Sequence, residues 1–202
     1  MFFSLKWRIL RESLMNTLLS PEMGDAFPFI ADSDYCAEEM LNGERLLVSK
    51  FGNLVRAFSR DRTVRDLPLT IINLARSFPG DFVLQGELVR DSFIALDLID
   101  ACDVNVAGES FVLRRKLLAL ISPFPLVAHA TGERGKSRLL ELLREARGDG
   151  IVFKRLDVPH DSGHETYGVR FNNYRTGSPR AGDYSILNGR MDLSVERHSH
   201  AA

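Results

Sequence analysis

An α+β chain with antiparallel sheets is what this sequence predicts, and three observations predict it. Segments of strand composition outnumber helical ones. Most are joined by turns of hairpin type, with Asn42-Gly43, Gly52-Asn53 and Asn188-Gly189 as the clearest signals. The 202 residues, 45% of them hydrophobic, suffice for one core or a core with a small appendage.

Residues 4–19 have the spacing of an amphipathic helix that packs on the domain, and Ser20-Pro21 ends it. A polar connector follows from Gly24 to Asp34. Strands are expected over 36–41, 44–50 and 53–59, with Asn42-Gly43 and Gly52-Asn53 turning between them. Residues 69–77 read as a short helix, and Phe78-Pro79-Gly80-Asp81 as a turn. Phe82 to Val89 is a strand whose mid-strand Gly86 marks the close approach of a ligand or another backbone. Phe93 to Asp100 is a strand of buried type. In Phe111 to Ile121 the leucines 113, 117 and 120 and Ile121 form one helical face, and Arg114, Arg115 and Lys116 a solvated one. Leu126 to His129 is a short strand, and Lys136 to Arg147 a helix stopped by Gly148. Ile151 to Leu156 and Val169 to Tyr174 are strands, the tail holds an Asn188-Gly189 hairpin, and residues 197–202 read as frayed.

Charged residues make up 26% and the formal net charge is −1, which argues against tight stand-alone DNA binding; local basic clusters remain compatible with it. Cys36 and Cys102 lie far apart without metal spacing and are expected as packing residues in a reducing cytoplasm. The first ten residues lack both a long apolar run and a cleavage site, so neither a signal peptide nor a membrane span is read there.

One constellation carries chemistry. Glu38-x-Met40-x-Asn42-Gly43-x-Arg45 is followed by Ser59-Arg60, then Gln85-Gly86-Glu87, Ala95-Leu96-Asp97 and Asp149-Gly150-Ile151-Val152-Phe153-Lys154. In order and spacing this set resembles the nucleotidyltransferase domain of ATP-dependent DNA ligases, above all the small bacterial type, over residues 33–175. The resemblance implies an ATP-grasp-like fold of two antiparallel sheets flanked by helices. It divides the chain into an N-terminal helix and connector (1–32), the domain (33–175), and a short hairpin and tail (176–202). The tail is too short for the oligonucleotide-binding barrel of such ligases. ATP and Mg²⁺ are the implied cofactors, and nicked DNA, with a possible protein partner and no membrane, the implied partner.

Residue by residue, the resemblance puts Glu38 at the adenine edge and Gly43 in the tight turn. It puts Arg45 and Arg60 toward phosphate or the nick, Glu87 on ribose or metal, and Leu96 where an aromatic stacks on the base. Asp149 stands for a metal-binding Glu and Lys154 for the α-phosphate cation. Arg170 lies where the first of two lysines is expected, and Asn172 replaces the second. Met40 occupies the position of the nucleophilic lysine. A thioether has no amine to attack the α-phosphorus, so the resemblance implies a degenerate domain that retains nucleotide, nucleic-acid or partner binding.

Three alternatives stand beside this reading. One is an active ligase of DNA repair or end joining, seen as a Lys-to-Met variant. Another is an interaction module without a ligand. The third is a phosphate loop at Ala130-Thr-Gly-Glu-Arg-Gly-Lys-Ser137, which follows a strand and opens a helix. His160-Asp-Ser-Gly-His164 is read as a polar surface loop rather than a metal site.

Overall fold

Leu46, Val48, Leu84 and Leu98 bury one face of a sheet while the intervening Leu47, Val83 and Ile99 pack on the other, as the period-two geometry of strands requires. The computed structural model describes residues 22–23, 26–160, 166–171, 186–187 and 190–191. The helix read over 4–19, the end of the strand read over Val169 to Tyr174, His164 and the frayed end lie outside them.

The strands are β1 (Glu22–Met23), β2 (Tyr35–Glu39), β3 (Glu44–Phe51), β4 (Leu54–Ser59), β5 (Val64–Arg65), β6 (Phe82–Val89), β7 (Ser92–Ala101), β8 (Val104–Asn105), β9 (His129–Ala130), β10 (Gly150–Arg155), β11 (Thr166–Arg170), β12 (Ile186–Leu187) and β13 (Arg190–Met191). The helices are α1 (Phe27–Ala31), α2 (Leu69–Ser77), α3 (Phe111–Ile121) and α4 (Gly132–Glu145). Two main sheets result. One is six-stranded in the order β5-β4-β3-β6-β7-β8; the other is five-stranded in the order β1-β11-β10-β2-β9. Pairing is antiparallel except for the short parallel β1–β11 edge. β12 and β13 pair across the expected two-residue connection.

The hairpin expected at Asn42-Gly43 does not form. β2 is interior to the five-stranded sheet, between β10 and β9, whereas β3 pairs with β4 and β6. The Asn-Gly step therefore carries the chain from one sheet to the other. Gly43 is needed for space rather than for a left-handed backbone: a Cβ there would meet the Leu88 carbonyl oxygen at 2.6 Å. The turn at Gly52, with φ +56°, forms as expected between β3 and β4. The connector of residues 24–34 contains α1, whose Phe29 stacks on Phe153 with 5.3 Å between ring centroids.

The six-stranded sheet buries Leu46, Val48, Leu84, Phe93 and Leu98 under Ile71 and Ala75 of α2 and Leu118 of α3. The five-stranded sheet buries Ala37, Ile151 and Phe153 under Leu139 and Leu143 of α4. At Gly86 the close approach is by protein, not ligand: a Cβ would collide with the Ile94 carbonyl oxygen and the Phe93 ring. Gly86→Ala should therefore cost about 1–3 kcal/mol through overpacking, read as a lower urea midpoint at unchanged m-value.

Candidate functional site

α3 meets expectation only in part: Leu117 and Ile121 pack against the core and Lys116 is exposed, but the other positions are turned differently. Leu113 and Leu120 are exposed, Leu120 to 81%, while Arg114 is buried. The reason is tertiary: buried carboxylates wait on both sheets, and two adjacent arginines satisfy one each. Arg114 of α3 binds Asp97 of β7 in two-pronged fashion, Nε to Oδ1 and Nη2 to Oδ2, both at 2.9 Å. Its remaining donor reaches the carbonyls of Glu109 and Val158. Arg115 donates to the Val127 carbonyl at 2.7 Å and lies 3.8 Å from Glu38 Oε1 on β2. Ser110 caps the helix N-terminus, its hydroxyl accepting from the Leu113 N–H. His160 is not on a polar surface loop either; its Nδ1 sits 2.9 Å from Asp97 Oδ2 and its side chain is buried. Burial would raise the Asp97 pKa, but His160 and Arg114 together hold its carboxyl far below the usual range.

Around Glu38 the pleat builds a second cluster. Directly paired residues share a face, and β2 sets Cys36 opposite Lys154 and Glu38 opposite both Val152 of β10 and His129 of β9. Glu38 is 1% exposed. Lys154 Nζ binds its Oε2 at 2.7 Å, and His129 Nδ1 lies 3.6 Å from Oε1. Phe111 forms the wall, with Lys154 Nζ 4.9 Å from its ring centre. Burial alone would push the Glu38 carboxyl up; Lys154, His129 and Arg115 outweigh it and bring the pKa down to about 2. The single carboxylate of Glu38 thus faces the two basic side chains of Lys154 and Arg115, and Lys154 and His129 remain partly open to solvent. Cys36 beside it is pushed up to about 12, by burial first and Glu38 second, which leaves an inert thiol.

Met40 follows two residues after Glu38 on the same pleat. Its N–H donates to the Gly150 carbonyl at 3.0 Å, its side chain is 8% exposed, and its sulfur packs where a Cβ on Gly150 would stand, 3.1 Å away. Glu87 of β6 is buried with Arg45 of β3 at 3.2 Å, and its second oxygen accepts the Gly43 N–H at 3.1 Å. Asp149 precedes β10 and acts on Glu39, whose side chain leaves the opposite face from Glu38. Burial, then Asp149, raises the Glu39 pKa to about 7. Leu96 is buried at a register shift of β7 against β6. Arg60 and Arg170 are exposed, Arg170 opposite Gly150 at the end of β11.

The structure thus joins Glu38 with Lys154, Glu87 with Arg45 and Gly43, and Met40 with the start of β10. Of the two carboxylates expected on the metal, Glu87 is engaged by Arg45 and Gly43 and Asp149 acts on Glu39; no three His, Cys, Asp or Glu side chains converge among the described residues. Arg115, His129 and Phe111 escaped the sequence reading. The adjacent arginines looked like a solvated stripe, and only the register of β9 against β2 brings His129 to Glu38.

The phosphate-loop alternative fails on conformation. Residues from Gly132 onward are already helical, and Lys136 is buried with Nζ donating to the carbonyls of Phe29, Asp32 and Tyr35. It closes the end of α1 and cannot reach a phosphate. Cys102, expected in the packing, is exposed in the left-handed turn before β8.

Two antiparallel sheets with these flanking helices are the fold of the nucleotidyltransferase domain of ATP-dependent ligases. The ligase domain of LigD from M. tuberculosis superposes with a TM-score of 0.56 at 22% identity, over 75% of this chain and 58% of that one. A mycobacterial DNA ligase D complexed with ATP gives 0.55 at 20%, over 77% and 61%. The Lig E DNA ligases, described as DNA binding with a minimal scaffold, give 0.54 at 17%, over 76% and 70%. The chain spans about three-fifths of the length of the first two. No protein-family model matches the chain, and no curated protein sequence does. No helix among the described residues is long and apolar enough to cross a membrane.

Proposed function

We propose that this chain is a ligase-type nucleotidyltransferase domain that holds a nucleoside triphosphate, with its Mg²⁺, beside Glu38 without taking up the adenylyl group covalently, and that it engages nucleic acid. The observation that carries the reading is the buried thioether of Met40 on the face shared with Glu38 and Lys154. Adenylyl transfer needs a free amine there. The amine present, Lys154, is held by Glu38 at 2.7 Å and lies against Phe111. At a pKa near 2, Glu38 is too weak a base to deprotonate it. Lys154 and Arg115 outnumber the single carboxylate, which supports attraction of a polyphosphate.

The protein is incubated with α-labelled ATP and Mg²⁺, then run on a denaturing gel. No label should stay on the chain, while unlabelled ATP should raise Tm by a few degrees through binding to the folded state alone. Label retained after denaturation overturns the non-covalent reading. An unchanged Tm at millimolar ATP overturns the nucleotide site.

A further inference from the structure

The six-stranded sheet ends, on one rim, in two tight turns that display arginines in an uncommon backbone. β4 runs into β5 through residues 60–63, and β6 into β7 through residues 90–91. The registers Leu46 to Ser59 and Glu44 to Leu88 put both turns, with the start of β3, at the same end of the sheet. Arg62 has φ +67° and Arg90 has φ +56°. Side chains other than glycine, asparagine and aspartate seldom adopt this region, because Cβ crowds the backbone. Strain kept at an exposed position points to use, since folding alone would favour glycine there.

The first turn is rigid. The Asp61 carboxylate accepts from the Ser59 and Thr63 hydroxyls and from the Thr63 N–H, and the Arg62 N–H donates to the Ser59 carbonyl. Arg65 is paired with Glu44 at 2.6 Å and Arg45 with Glu87. Arg60, Arg62 and Arg90 are exposed, and the acidic residues of the same two turns are Asp61, which is engaged within its turn, and Asp91. At one strand spacing per step the two turns stand about 14 Å apart, the run of a few nucleotides.

We infer that this rim grips a phosphodiester backbone, with Arg62 and Arg90 as binding residues beyond the Arg60 that the ligase resemblance implies. A fixed backbone under a planar five-donor head is a preorganised phosphate contact. The inference rests on the nucleic-acid half of the proposed function and not on the nucleotide site.

Fluorescence anisotropy with a fluorescein-labelled nicked duplex tests it, on the wild type, Arg62→Gly, Arg90→Gly and the double variant. Glycine relaxes the left-handed backbone, so Tm should hold or rise in each. Affinity should fall about threefold or more per arginine, and the slope of log affinity against log salt should flatten by about one for each. A double variant that binds like the wild type with the same slope overturns the rim while leaving nucleic-acid binding in place. A wild type with no salt-dependent binding overturns the rim and the nucleic-acid reading together. The ATP-induced Tm shift should be the same in all four proteins, which separates either failure from that of the nucleotide site.

Discussion

Arg114→Leu should destabilise the fold by about 3–5 kcal/mol, the cost of leaving a buried carboxylate without its cation. The substitution removes both bonds to Asp97 and the donations to the Glu109 and Val158 carbonyls at once. Those groups belong to β7, to the loop entering α3 and to the segment after β10. One side chain therefore ties the six-stranded sheet to the chain leaving the five-stranded one. His160 cannot compensate, because it reaches only one Asp97 oxygen and its own Nε2 is buried without a hydrogen-bond partner among the described residues. The same loss at Arg138, exposed and paired with Glu141 one helical turn away, should cost at most about 0.5 kcal/mol. Urea titrations of the two variants check the contrast. Equal midpoints would mean that the Asp97–Arg114 pair carries no net stability.

The same pair explains where sequence reading stops. Strand positions were legible because apolar runs of strand length are bounded by turn signals, and β3, β4, β6 and β7 fall within a residue or two of expectation. The order of Glu38, Gly43, Arg45, Glu87 and Lys154 led to the ligase fold, since each marks a strand end or turn that the fold requires. What could not be read was partnership. An Asn-Gly step signals a turn but not whether the strands beside it will pair, and here β2 finds better burial between β9 and β10. Leucines 113 and 120 would face inward on any helix judged by hydropathy alone. They yield because two buried acids, remote in sequence, need guanidinium groups more than the core needs two more leucines. Lys136 makes the same point. Its glycine-flanked setting suggests phosphate, yet three carbonyls at the end of α1 claim it first.

Stability should peak in mildly acidic solution and fall on either side, because the two adjacent glutamates of β2 are shifted in opposite directions. Glu38 has its folded pKa depressed from 4.5 to about 2. Its ionised form is favoured in the folded state, so its contribution is complete above the unfolded pKa and is lost as pH falls from 4.5 through 2. By linkage that contribution is about 3 kcal/mol. Glu39 has its folded pKa raised from 4.5 to about 7, by burial and by Asp149. The folded chain then holds a proton that the unfolded chain releases, and stability falls as pH rises from 4.5 through 7, by about 3 kcal/mol. Glu39→Gln should remove the decline above pH 4.5 and leave the acid limb intact, since its side chain points away from Lys154. Glu38→Gln should do the reverse, shrinking the acid limb to the part that Asp97 keeps while lowering stability at neutral pH, where Lys154 and Arg115 would lose their counter-charge. Urea midpoints of the three proteins across pH 3 to 8 decide it. A Glu39→Gln profile that still declines toward neutrality would place the titrating group elsewhere and sink the assignment.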